Sequence, residues 1–226
     1  MMKYSVGLAW CLLLGVSVAP ASGDTLNTYL TTASQLLSEY SAPYSGPYGL
    51  VTTNLLADGR ASVTFLGQVY SLSTVEAIFF RPFGSVALNV NASAFSVGFG
   101  CITYWGRVAD CSDTGPINTQ FGTFNLSITD LSRSPDLDGL AWVELYLTNE
   151  SGTWATAADV LALNSNGYDV MAGVLAVRWS GFPPPVLGQA AGSPPPSAVP
   201  EPTTILLLLS GAGLALCRSV GRERRR

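Results

Sequence analysis

The stretch Ser85-Val-Ala-Leu-Asn-Val-Asn91 decides the fold, because large apolar residues alternate along it with small or polar ones. Val86, Leu88 and Val90 would lie on one face of a β-strand and the intervening residues on the other. The same period of two recurs in the runs 63–65, 95–101, 124–128 and 140–147. Antiparallel strands with one buried and one wet face show this pattern, so the sequence predicts a mainly β fold.

Turn residues between these runs indicate how the strands connect. Asp58-Gly59 predicts a tight hairpin between strands at 50–57 and 61–66. The run 168–179 is apolar on both faces, as a central strand would be. We therefore expect an antiparallel β-sandwich or jelly-roll-like domain over residues 42–180.

Two short helices are predicted beside the strands. Residues 22–41 fit an amphipathic helix that Asp24 caps, and its apolar face would carry Leu26, Tyr29, Leu30, Ala33, Leu36, Leu37 and Tyr40. Its polar face carries no cation to bind anionic lipid, so we expect it to pack on its own domain. A second helix is predicted within 153–163, where a capping threonine precedes an acid by three residues.

The segment 181–198 contains two proline triplets, at 183–185 and 194–196. Proline fixes φ and donates no backbone hydrogen bond, so such a segment stays extended. We predict that 181–198 is a spacer outside the folded domain.

Both ends of the chain have the composition of targeting segments. Residues 1–21 combine a lysine, an apolar run and Ala19-Pro20-Ala21, which predicts a secretory signal peptide. It would direct the chain through the Sec translocon and be removed by signal peptidase after Ala21. At the other end, an apolar run from Thr203 to Leu216 predicts a single transmembrane helix. Cationic residues after this run would hold its end at the cytoplasmic face; they are Arg218, Arg222, Arg224, Arg225 and Arg226.

The C-terminal region resembles the PEP-CTERM sorting domain of Gram-negative bacteria. The residues that carry the resemblance are Val199, Pro200, Glu201 and Pro202, followed by the apolar run and the arginines, over 199–226. It implies processing by an exosortase, a membrane-embedded cysteine protease and transpeptidase. The chain would then be held only transiently in the inner membrane, with its main domain periplasmic, before it reaches the outer surface or the medium.

A weaker resemblance links the central region to other exported PEP-CTERM proteins of unassigned function. The segments that carry it are 88–93, 121–126 and 147–161. This resemblance implies a shared fold and no known activity.

Charge and composition exclude several classes of function. Residues 22–202 contain five arginines against fourteen acidic residues, and such a surface repels nucleic acid. The chain has no histidine and no lysine after Lys3, which excludes histidine-based triads and zinc sites. We predict no cofactor.

Two of the four cysteines are expected to pair. Cys11 lies in the predicted signal peptide and Cys217 at the cytoplasmic end of the predicted helix, so Cys101 and Cys111 alone would reach an oxidising compartment together. We predict a structural disulfide between them, because no further ligand or C-x-x-C spacing points to a redox or metal site.

Clustered acids and aromatic residues are the remaining candidates for a site. Asp136, Asp138 and Glu144, or Asp110 and Asp113, could offer oxygens to calcium, but the spacing fits no calcium loop and we interpret them as solvated turn acids, so no metal site is predicted. Trp105, Trp142 and Tyr146 could form a platform on which sugar rings stack, although packing in the core is the commoner fate of such residues.

Two hypotheses of function follow. The first is an exported, non-catalytic surface or matrix protein that associates with exopolysaccharide. The alternative is a carboxylate-only glycoside hydrolase drawing its acid and base from Glu76, Asp138 and Glu144. Two carboxyl groups roughly 5 to 10 Å apart in an aromatic cleft would favour the enzyme.

Overall fold

The structure is a computed structural model that describes residues 24–73, 75–103, 106–131, 140–179 and 184–194. The chain divides into two units, Met1–Ser193 and Pro194–Arg226, and all the elements below belong to the first. The predicted signal peptide and the segment 199–226 lie outside the described residues. None of the helices within the described ranges has the length and apolar character needed to cross a membrane.

Strands dominate the described part of the chain. In order they are β1 Thr25–Ala33, β2 Gly49–Leu55, β3 Ala61–Ser71, β4 Ala77–Leu88, β5 Phe95–Thr103, β6 Cys111–Asp113, β7 Ile117–Thr119, β8 Gly122–Phe124, β9 Leu126–Asp130, β10 Leu140–Asn149, β11 Val170–Arg178 and β12 Val186–Gly192. One α-helix, α1 Gln35–Ser41, follows β1, and one 3-10 turn, Ala157–Asp159, precedes β11. The mainly β prediction is confirmed.

The larger sheet closes on itself into a barrel of six strands. Its strand order is β5-β10-β3-β2-β1-β12-β11-β4-β9-β6, all antiparallel, with a further pairing between β3 and β4. The first half of β3 pairs with β10, whereas Gln68–Ser71 pair with β4. The barrel therefore consists of β1, β2, β3, β4, β11 and β12, while β10 with β5 and β9 with β6 continue outside it. The predicted sandwich of two separate sheets is corrected to this closed barrel with outer strands.

Gly67 makes the transfer of β3 from β10 to β4 possible. A Cβ atom built on Gly67 would lie 2.3 Å from the carbonyl oxygen of Phe80, closer than any side chain tolerates. Glycine thus permits the close backbone approach at the seam of the barrel.

The main core fills the barrel and continues under the outer strands. Buried residues of the barrel strands include Phe65, Phe80 and Val174, and Val143 and Leu145 on β10 belong to the same cluster. A second, smaller cluster lies on the other side of β4, β11 and β12, where the β7–β8 hairpin brings Phe121 and Phe124 over Ala87, Met171 and Ala191. The covered outer side explains why β11 is apolar on both faces, as predicted for a central strand.

The predicted amphipathic helix over 22–41 is wrong for its first half, because Thr25–Ala33 forms β1 and helix begins only at Gln35. Leu26, Leu30 and Leu37 do have helical spacing, but Leu26, Thr28 and Leu30 also alternate along a strand. Thr28 is buried between β2 and β12, where the helix interpretation had placed it on a wet face. Pairing with two neighbouring strands outweighs the weak local helix propensity.

The predicted spacer over 181–198 is also corrected, because Val186–Gly192 forms β12 between β1 and β11. No proline lies between 185 and 194, so this short interval retains its backbone donors. β12 packs closely under α1 because residue 188 is a glycine. A Cβ atom there would lie only 2.5 Å from Cβ of Leu37.

The predicted hairpin turn agrees with the structure, whereas the second predicted helix is corrected and only its Thr156–Asp159 cap agrees. Leu56 N donates to Arg60 O at 2.8 Å across the Asp58-Gly59 turn, and Gly59 has φ +82°. The helix predicted within 153–163 is reduced to the single 3-10 turn, with Thr156 N donating to Asp159 Oδ2 at 2.9 Å.

Candidate functional site

The outward side chains of β1, β2, β3, β10 and β5 form one broad exposed surface, which we call the outer face. Strand register aligns these side chains in three rows across the sheet. The apolar row contains Tyr29, Leu50, Leu66, Trp142 and Ile102; the middle row Asn27, Thr52, Thr64, Glu144 and Gly100; and the third row Thr25, Asn54, Ser62, Tyr146 and Gly98.

The apolar row is the most unusual part of the outer face. Tyr29 is 47% exposed, Leu66 39% and Ile102 37%, with Trp142 half-buried between the last two. Five strands spaced about 4.8 Å apart make the row about 19 Å long. Soluble proteins rarely leave a continuous apolar strip of this kind uncovered unless something binds it.

Hydrogen bonds fix the polar groups beside that row. Thr52 Oγ1 donates to Asn27 Oδ1 at 3.0 Å, and Thr25 Oγ1 donates to Asn54 Oδ1 at 2.7 Å. These cross-strand pairs hold both asparagine amides in fixed orientations at the surface. The outer face thus combines an apolar strip with ordered hydrogen-bonding groups.

Glu144 and Tyr146 form a polar pair two residues apart on β10. The hydroxyl of Tyr146 donates to Glu144 Oε2 at 2.7 Å. Because this bond stabilises the protonated phenol beside an anion, it raises the pKa of Tyr146 above its ordinary value. The pair presents a neutral hydroxyl and one carboxylate next to the apolar row.

Glycines make the edge of the outer face bare. A Cβ atom on Gly98 would meet no atom within 4 Å, and one on Gly100 would lie 3.8 Å from the ring of Trp142. The flank of Trp142 that faces β5 is therefore open to a ligand.

The structure brings together two of the three aromatic residues predicted to bind sugar. Trp142 and Tyr146 both lie on the outer face, and Trp105 lies outside the described residues. Sequence reasoning missed Tyr29 and Leu66 as members of this surface. Tyr29 was missed because β1 was interpreted as a helix. The available signal was the period of two over 25–30, in which Leu26 and Leu30 share one side of a strand and Tyr29 lies on the other.

Two of the acids named for the alternative enzyme, Glu76 and Glu144, lie too far apart to form a catalytic pair. Glu144 lies opposite Thr64, whereas Glu76 lies beyond the end of β3, where its Oε1 is 3.3 Å from Arg178 Nη1. From Thr64 to Ser71, β3 runs about 23 Å, well above the separation that glycoside hydrolysis requires. Asp138 lies outside the described residues.

The predicted Cys101–Cys111 disulfide is present, with Cα atoms 6.3 Å apart. Asp113 Oδ1 accepts a hydrogen bond from Gly115 N at 2.7 Å, as an ordinary turn acid does. Among the described residues, no group of three or more histidine, cysteine or acidic side chains could hold a metal ion.

Comparison of the chain with protein-family models, with curated proteins and with solved structures finds no match. The function must therefore be inferred from the outer face and from the sequence.

Proposed function

We propose that this chain is an exported, non-catalytic protein whose outer face binds extracellular polysaccharide. The apolar row carries the proposal: Tyr29 and Trp142 are aromatic, exposed at least in part, and lie in line across a sheet. Sugar rings present apolar C–H faces that pack on aromatic rings, while their hydroxyl groups need partners at the rim. The rows beside the strip supply such partners from Asn27, Asn54 and Tyr146.

Charge favours a neutral polymer over an acidic one. Glu144 is the ionisable carboxylate in the three rows, and no arginine is among their members. The range 22–202 as a whole is acidic, because its fourteen acidic residues outnumber its five arginines. A uronate or sulfate chain would meet repulsion at Glu144, whereas a neutral chain would meet an acceptor for its hydroxyl groups.

Delivery of the domain is the second part of the proposal. Residues 1–21 would direct export through the Sec translocon and be removed by signal peptidase. Val199-Pro-Glu-Pro202, the following apolar run and the terminal arginines would hold the chain in the inner membrane until an exosortase cuts it. The domain would then reach the outer surface or the matrix, where polysaccharide is abundant.

Affinity electrophoresis of the full-length chain in gels containing neutral or acidic exopolysaccharide tests the binding proposal. Trp142→Ala is expected to lower the affinity for the neutral polymer about tenfold, which corresponds to about 1.4 kcal/mol. Trp179→Ala is the matched control, because Trp179 is 71% exposed but lies beyond the end of β11, away from the outer face. Equal affinity of the unaltered chain and Trp142→Ala would contradict the proposal.

A further inference from the structure

One edge of the larger sheet has an unpaired stretch. β5 is the last strand in the sheet order, and β10 pairs with it along its whole length on one side. On the other side, the returning chain bonds only to the end of β5: Ala109 N donates to Cys101 O, and Val108 pairs with Ile102. Within the described residues, no strand pairs with this outer side along 95–100.

This stretch lacks the usual protection of edge strands. Natural edges carry charged residues, proline or a bulge that discourages a second strand from adding to them. Residues 95–103 contain no charge and no proline, and their register with β10 is regular from Phe95 to Ile102. No bulky side chain at Gly98 shields the strand on the outer face, and Phe99 is 36% exposed at the rim of the core.

The apolar residues of the stretch are self-complementary. Phe95, Val97 and Phe99 lie on one face of β5, with Val97 in the middle. An antiparallel copy of the same strand, centred on Val97, would place Phe95 of each copy opposite Phe99 of the other. Aromatic cross-strand pairs stabilise sheets, and an interface in which one patch meets its own copy has the symmetry of most homodimers.

From this edge we infer that two copies of the chain pair through β5, antiparallel about Val97, into a homodimer with one continuous sheet. The inference stands apart from the proposed function, because it uses the edge of the sheet and not the apolar row. The two outer faces become neighbours in the dimer. The glycine strips of both copies then form the floor of one trough, with Trp142 and Tyr146 of each copy on its two sides.

Sedimentation of the full-length chain in mild detergent, over a range of concentrations, tests the dimer. We expect a dimer that the double variant Ser96→Lys/Gly98→Lys weakens at least tenfold. Positions 96 and 98 both lie on the exposed face of β5. In the proposed register Ser96 of one copy lies opposite Gly98 of the other, so the variant places lysines of the two copies opposite each other and like charges repel. The control Ser165→Lys/Asn166→Lys adds the same charge in an exposed turn before β11 and should leave the dimer intact.

Cross-linking tests the register independently of any effect on folding. Val97 would be about 4.5–5.5 Å, Cα to Cα, from its symmetry mate, within the range of a disulfide. Val97→Cys should therefore give a covalent dimer under mild oxidation, at a yield severalfold above that of the unaltered chain and of Asn166→Cys, which share Cys11 and Cys217.

The outcomes separate the possibilities. A monomer at all concentrations, a dimer that the β5 lysines leave unchanged, or cross-linking no greater at Val97→Cys than at Asn166→Cys would each overturn the inference. A monomer that still binds neutral polysaccharide would refute the dimer alone, and a dimer that binds no polysaccharide would refute the proposed function alone.

Discussion

Cys101 and Cys111 link the two strands that stand at opposite ends of the larger sheet, β5 and β6. Cys101 is 2% exposed, and its neighbours on β10 belong to the main core. The disulfide thus ties the outer strand pair β10–β5 to the outer pair β9–β6 at one end of the barrel. The disulfide fixes the two extensions of the sheet to each other in addition to the chain segment 104–110, which joins β5 to β6.

Replacing Cys101 and Cys111 by serine is expected to lower the free energy of unfolding by about 2–3 kcal/mol, since a short loop is no longer closed in the unfolded chain. Urea unfolding of the oxidised protein, with and without reductant, measures this difference. The double variant should be insensitive to reductant. Alkylation of both thiols in the protein purified without reductant would contradict the prediction.

Asp169 should make stability fall as pH rises. It is 1% exposed, neither carboxylate oxygen has a hydrogen-bond partner among the described residues, and burial raises its pKa from 3.8 to about 7. The folded state therefore binds this proton more tightly than the unfolded state. Binding of this proton therefore contributes to the free energy of unfolding at low pH. That contribution is lost as pH rises from about 4 to about 7, and the free energy of unfolding falls by at most about 4 kcal/mol.

Asp169→Asn removes the titration at nearly constant shape. We expect it to raise the free energy of unfolding above pH 7 and to flatten the decline between pH 4 and 7. Denaturant unfolding at a series of pH values gives both slopes. Parallel pH profiles for the two chains would show that Asp169 does not titrate as its burial implies.

Gly67→Ala should weaken the seam of the barrel, because the added methyl group would overlap the Phe80 carbonyl oxygen. We expect a loss of about 1–3 kcal/mol, as for overpacked sites. Gly98→Ala is the matched control on another strand of the same sheet, where the added methyl group meets no atom. Thermal melting of both variants measures the contrast, and equal melting temperatures would be inconsistent with a tight contact at Gly67.

The sorting proposal predicts the fate of the tail. In a host with its exosortase, the exported protein should lack the residues after about 202, and deletion of Pro200–Pro202 should trap the chain in the inner membrane. Cell fractionation followed by mass spectrometry of the C-terminal peptide measures both. An intact tail on the extracellular protein, or unchanged release of the deletion variant, would contradict it.

Alternation along single strands predicted much of the fold, because one buried face leaves a local signal. Val86 and Leu88, for instance, were assigned correctly to the core. The closure of the barrel left no such signal, since it depends on β3 changing partner at Gly67 and on β1 pairing with β12. Of the residues on the outer face, the sequence predicted only Trp142 and Tyr146, both on β10, as a candidate binding surface. Tyr29 and Leu66 join them through register between distant segments, which no local pattern records.

The pairing of β1 with β12 sets the point at which the barrel can close. These are the first and last strands among the described residues, and the barrel contains both. If residues 1–21 direct export as proposed, the chain would pass through the translocon unfolded, and β1 would emerge long before its neighbour β12. The barrel would then close only once residue 192 has crossed, shortly ahead of the segment proposed to hold the chain at the membrane.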